Sequence, residues 1–228
     1  ANIFDNAKTD ISEADEQRLI ASLKKLSADE DLEDVLDTDE VLRYFVVHNF
    51  VVNGDSYTGS MIHNYYLYEE DGVLSMIPWD YNLAFGGFLG GSDATSVVND
   101  PIDSPVSSGS TEDRPMVAWI FQEETYTQQY HALYDQFITT YFESGAFETE
   151  FDQVSAMIAP YVERDPTKFC TYDEFETGVS TLKAFCQLRA QSIRGQLDGT
   201  IPSTTDGQQA DDSALVDASS LSISDMGE

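Results

Sequence analysis

Apolar positions recur at helical spacing in several separate blocks of this chain, and at strand-like spacing in one short block. In "SEADEQRLIASLKKLS", Ser12 to Ser27, the residues Leu19, Ile20, Leu23 and Leu26 form one stripe. Ser12 stands at the capping position, with Glu13, Asp15 and Glu16 in the first turn, where the helix dipole favours carboxylates. The pattern predicts a surface helix closed by Lys24 and Lys25.

A second helix is predicted from Thr38 or Asp39 through "TDEVLRYFVVHNFVVN". Its apolar residues Val41, Leu42, Phe45, Val46, Phe50 and Val51 cover most of the circumference, the mark of a buried helix. His48 and Asn49 interrupt that surface. Buried polar groups need partners, so both are expected to bond to the loop that follows. Asn53-Gly54 ends the helix.

"HNYYLYEE" and "VLSMIPW" flank Asp71-Gly72, a strong two-residue hairpin signal. Pro78 ends the second strand because it cannot donate to a ladder. From Gly86 to Thr111 the texture is Gly, Ser, Asp and Pro, which reads as a flexible flap. Its glycines lack the lysine of a phosphate-cradling loop. Three helical blocks follow from Pro115, then a long helix capped at Thr171 or Asp173. That helix carries an inner stripe of Phe175, Val179, Leu182, Phe185 and Leu188. The aromatic stripes of this half are expected to be core. Residues 198–228 are polar and acidic and read as linker or weakly ordered tail, after a domain over 1–197.

Composition narrows the functions. The chain has 228 residues, 41% of them hydrophobic and 12% aromatic, enough for one good core. Forty-two acidic residues against 11 basic ones give a formal charge of −31. That argues against a nucleic-acid polymer as partner, since phosphates need Lys and Arg to neutralise them. No run of apolar residues is long enough to span a membrane. An oxidising compartment would permit a Cys170–Cys186 bond, which two cysteines alone leave open, and no zinc-binding spacing is present. The chain begins at Ala1 rather than Met, so the sequence leaves targeting open.

The chemistry gathers at the hairpin. A buried helix delivers a loop bearing Asp55, Asn64 opens the first strand, and Asp80 follows the second. Two carboxylates and an amide are hard-oxygen donors suited to Mg²⁺ or Mn²⁺ carried by a phosphate-bearing ligand. The same residues also suit plain turns. His63 reads as a structural hydrogen-bonder, and Arg114 as an anchor of the flap through a carboxylate pair.

The stretch "HNFVVNGDSYTGSMIHNYYLYEEDGVLSMIPWDYNLAFGG" resembles the core of the spore coat protein H (CotH) kinase family, atypical protein kinases with a kinase-like fold. The Asn-x-Asp-Ser-Tyr loop, the His-Asn-Tyr-Tyr-Leu-Tyr strand and the Pro-Trp-Asp turn carry the resemblance, from about Arg43 to Gly87 and more loosely to Leu197. It implies an α+β, mainly helical C-terminal lobe of a protein kinase-like fold with a small β-hairpin at the cleft. It implies transfer of the ATP γ-phosphoryl, with Mg²⁺ or Mn²⁺, to Ser or Thr of a protein substrate. Asp55 matches the catalytic aspartate and Asp80 the metal-binding one. Asn64 takes the metal-binding asparagine's place at a longer separation than ordinary kinases use. No strand lysine precedes Asp55: Lys8 lies in "NAKTD", and Lys24 and Lys25 sit on the first helix. The partner lobe is therefore expected upstream, and the segment alone is expected to bind ATP poorly. A spore-coat, cell-surface or extracellular location is implied. The alternative is a non-catalytic, pseudokinase-like coat scaffold or adhesion module.

Overall fold

In the computed structural model, residues 3–28, 31–89 and 93–227 are described. The protein is α+β and mainly helical, with one two-stranded antiparallel sheet. Helix α1 (Glu13–Ala28) lies across α5 (Pro115–Gln122) and touches the short α2 (Leu32–Val35). It buries only Ser22 and Leu26, as a surface helix should. The Ser22 hydroxyl donates to the Gly72 carbonyl at 2.8 Å, pinning the helix to the hairpin turn.

Helix α3 (Thr38–Phe50) is the hub. The Asp37 carboxylate caps it by accepting from the Glu40 N–H at 3.1 Å. Val41, Leu42, Phe45, Val46 and Phe50 are all buried, as its all-round apolar pattern predicts. It packs on α6 (Glu124–Phe137) and against the second strand of the hairpin.

Strands β1 (Tyr65–Glu70) and β2 (Val73–Pro78) pair in register, Tyr65 opposite Pro78 and Glu70 opposite Val73. Asp71 and Gly72 both have positive φ, 53° and 90°, the geometry that an Asp-Gly turn allows and that matches strand twist.

The expected flap is a correction. Residues 90–92 lie outside the described residues, but the rest of the stretch is largely anchored. Short helix α4 (Ala94–Val98) is capped by Asp93, and Val97, Val98, Asn99 and Ile102 are buried. The apolar residues hidden among Ser, Gly and Asp are few, but Ala94, Val97, Val98 and Ile102 fill the core.

Helix α6 continues into a π-helical turn, Ile138–Glu143. Helices α7 (Ala146–Arg164) and α8 (Tyr172–Leu197) then pack together. Thr171 and Glu174 form a reciprocal capping box at the start of α8. The α7 stripe is core only at its N-terminal half, where Phe147 is buried and Phe151 half-buried. Beyond it Val154, Met157, Ile158 and Tyr161 continue the same stripe into solvent. Cys170 and Cys186 are both free thiols.

Residues after Leu197 also differ from the expected weakly ordered tail. They hold a short helix, α9 (Thr205–Ala210), and return to the core. Ile201, Val216, Ala218 and Ile223 are buried. Asn99 clasps Val216 through both main-chain groups, at 2.8 and 3.0 Å. Backbone near Asp225 lies so close to α8 that a Cβ at Gly178 would meet the Asp225 oxygen at 2.6 Å. Four well-spaced apolar side chains suffice to hold a segment whose average composition is polar.

Candidate active site

Helix α3 ends where the site begins. Val52, just past its end, has φ of 45°, a costly conformation for a β-branched residue. Ile62, Asn64, Asp80 and Phe85 also have positive φ. With Asp71 of the hairpin turn, six of the seven such non-glycine residues described thus fall between Val52 and Phe85. Strain held in place by its surroundings is characteristic of functional segments. Phe85 and Gly86 donate back to the Val51 and Val52 carbonyls, so the chain beyond Asp80 returns to the end of α3.

The loop from Asn53 to Gly59 is buried throughout, and several of its polar groups are met internally, although Asn53 Nδ2 is buried without a partner. The Asp55 N–H donates to Asn53 Oδ1 at 3.2 Å, and the Ser56 hydroxyl donates to the Asn53 carbonyl at 2.5 Å. Gly59 crosses so near Gly54 that a Cβ would sit 1.9 Å from its carbonyl oxygen. Only glycine fits there. Arg114 is buried and donates to the carbonyls of Tyr57 (3.2 Å), Gly59 (3.4 Å) and Ser108 (2.9 Å). It does tie the Gly/Ser stretch to the loop, as its place in the sequence suggests. Its partners are main-chain carbonyls rather than the expected carboxylate: a buried loop offers many unpaired carbonyls, and the guanidinium fork can meet several at once.

Asp55 lies at the inner end of this loop with its side chain fully engaged. His63 Nε2 contacts Oδ1. Asn64 Nδ2 donates at 3.0 Å to Oδ2 and at 3.0 Å to the Asp55 main-chain carbonyl. Asn64 therefore points its amide nitrogen inward, and its Oδ1 has no partner among the described residues.

Asp80 follows the second strand at the same open end of the hairpin that Asn64 opens, and it is exposed, left-handed (φ 57°), and without a partner among the described residues. The exposed Trp79 beside it meets Tyr66 edge to face at 5.3 Å, and Lys8 stands 5.8 Å over the Tyr66 ring. So Lys8 reaches the hairpin without lying on a strand.

The two aspartates are joined through His48. Its Nδ1 lies 2.8 Å from the Tyr81 hydroxyl, next to Asp80. Its Nε2 lies 2.9 Å from Ser56 Oγ and 3.0 Å from Thr58 Oγ1, next to Asp55. Burial pushes this imidazole down to about 3, so it is neutral. The sequence marked His48 as a buried polar residue needing the following loop. Its second bond, to Tyr81 across 33 residues, had no local signal. Asn49 bonds Tyr130 on α6 instead of the loop, at 2.8 Å.

Hard-oxygen donors of the type a divalent cation takes are present at this end of the hairpin. The Asp80 carboxylate and Asn64 Oδ1 have no partner among the described residues, and Mg²⁺ commonly takes one or two protein oxygens plus water and phosphate. Among the described residues, no group of three or more His, Cys, Asp or Glu forms a protein-only metal cage.

The model of the CotH kinase protein family matches residues 2–193. The chain belongs to the CotH kinase family. Inner spore coat protein H of Bacillus subtilis (strain 168) is 24% identical over 164 residues, which is 71% of this chain and 42% of that protein. This CotH-family chain thus matches less than half the length of that relative. No solved structure matches it. The family match spans all the strained positions and the three residues Asp55, Asn64 and Asp80.

Proposed function

We propose that this chain forms the mainly helical C-terminal lobe of a kinase-like fold and carries the acceptor side of a CotH-type protein kinase centre. The observation that carries the reading is the Asp55 carboxylate, embedded in a wholly buried loop and held by His63 and Asn64 at the foot of a strained hairpin. Fixed geometry of that kind suits a group that orients a Ser or Thr hydroxyl and accepts its proton. ATP with Mg²⁺ or Mn²⁺ supplies the electrophilic phosphorus and neutralises its charge. Asp80 and Asn64 Oδ1 hold the cation. Asn64 thereby serves both ends, its nitrogen on Asp55 and its oxygen outward. The name of the spore coat relative supports a coat or surface location for this protein.

The test uses the full-length protein, because neither described strand carries a lysine. Asp80→Ala and Asp55→Asn are each expected to abolish metal-dependent transfer of labelled γ-phosphate to protein. Asp80 is exposed, so Asp80→Ala should keep its circular dichroism and melting temperature. Undiminished transfer by either variant would sink the assignment.

The exposed α7 stripe favours a second reading, a binding module without catalysis. Absence of any ATP- and metal-dependent rise in melting temperature for the full-length protein would support it over the first.

A further inference from the structure

We infer that His48 is a positioning residue that locks the Asp55 loop and the Asp80 corner to each other, so that neither rearranges alone. Its catalytic consequence rests on the kinase reading above, but the coupling itself does not.

The hydrogen-bond directions in this chain of contacts are forced. The Ser56 hydroxyl has one proton, and it goes to the Asn53 carbonyl at 2.5 Å. Ser56 Oγ, 2.9 Å from His48 Nε2, must therefore accept. That makes Nε2 the protonated nitrogen. In a neutral ring Nδ1 is then the acceptor, and the Tyr81 hydroxyl at 2.8 Å must donate to it. Thr58 shares the Nε2 side at 3.0 Å.

The ring cannot swing to relieve either bond. It is stacked on Tyr44 at 5.2 Å with an interplanar angle of 11°, and meets Phe45 and Tyr81 edge-on at 6.1 and 5.8 Å. It is 1% exposed. Each side of the ring holds a segment that carries one candidate aspartate: the Asp80 segment contains positive-φ Asp80 and Phe85, and positive-φ Val52 leads into the Asp55 loop, conformations that need external restraint. A rigid heterocycle with one donor and one acceptor at fixed separation satisfies both. No other side-chain ring offers a donor and an acceptor on two separate ring atoms.

Hydrogen–deuterium exchange tests the coupling without any activity. Tyr81→Phe removes the His48 bond on the Asp80 side, together with the contact of the same hydroxyl to Tyr44, and leaves the aromatic packing in place. Amides of residues 79–86 should then exchange faster, and so should those of residues 53–59, by about five- to tenfold, the equivalent of one buried hydrogen bond. Acceleration confined to 79–86 would overturn the inference. His48→Gln places an amide near the Nε2 position and His48→Asn near Nδ1. Gln is expected to restore mainly the Asp55 loop and Asn mainly the Asp80 corner, with neither restoring both. Nitrogen NMR should show His48 as the Nε2–H tautomer in the wild type, and an Nδ1–H tautomer would equally refute it. In the full-length protein Tyr81→Phe should lower kcat for phosphate transfer while Asp55 and Asp80 remain intact. If no transfer occurs even in wild type, the kinase reading fails while the exchange result still decides the coupling.

Discussion

The side-chain amide of Asn64 donates to both the carboxylate and the main-chain carbonyl of Asp55, each at 3.0 Å. One residue thus fixes the rotation of Asp55 and the path of its loop together. Asn64 also has φ of 53°, which asparagine tolerates better than most residues. Asn64→Ala loses the bonds and pays the backbone penalty; Asn64→Gly loses only the bonds. We expect Asn64→Ala to destabilise by about 2–3 kcal/mol and Asn64→Gly by about 1 kcal/mol less. Urea unfolding measures both, and equal losses would place the whole effect in the side chain.

The buried neutral His48 makes stability depend on pH. Its folded-state value lies near 3, against an ordinary value of 6.5. Between these the unfolded chain binds a proton that the folded one refuses, so stability falls as pH drops below about 6.5 and continues to fall towards 3. Above 6.5 both states are neutral at this residue and the contribution is flat. Between pH 6 and 5, before most carboxylates titrate, the slope from this residue should approach about 1.4 kcal/mol per pH unit. His48→Gln should flatten that interval in a series of urea melts.

Arg189 is fully buried and donates to four main-chain carbonyls: Asn49 (2.9 Å), Phe50 (3.3 Å), Val98 (3.1 Å) and Asp100 (2.6 Å). It staples the end of α3 to the segment after α4. Arg189→Met fills the volume but leaves those oxygens short of donors. A loss of more than about 3 kcal/mol is expected by chemical denaturation. A change below about 1 kcal/mol would mean that water replaces the guanidinium.

The two thiols should differ in reactivity. Cys186 is buried, and burial pushes its thiol up to about 12, whereas Cys170 is partly exposed. Iodoacetamide at pH 8 is expected to modify Cys170 in the folded protein and both residues after denaturation, read by mass spectrometry. Absence of alkylation at both sites in denaturant would reveal a disulfide.

The C-terminal segment should matter to stability. Val216→Asp or Ile223→Asp places a charge where the side chain is at most 9% exposed. A loss of about 2–4 kcal/mol is expected for each. An unchanged melting temperature would show that the segment does not pack.

Much of this was legible in the chain itself. Asp55, Asn64 and Asp80 stand out by their place around the hairpin and by the family resemblance, whereas the helix α3 pattern, the Asp71-Gly72 turn and the cap of α8 at Thr171 rest on local rules. Periodicity, turn stereochemistry and capping act within a few residues, so sequence alone determines them. What sequence could not supply was long-range pairing. Arg114 looked as though it needed a carboxylate, and only the buried loop shows why carbonyls serve instead. The Gly/Ser stretch and the C-terminal segment read as loose because composition averages over residues. Val98, Ile102, Val216 and Ala218 are buried by contacts more than a hundred residues apart in places, such as Asn99 with Val216. The join between Asp55 and Asp80 through His48 is likewise tertiary: a histidine's two ring nitrogens become a link only when folding brings Ser56 to one and Tyr81 to the other.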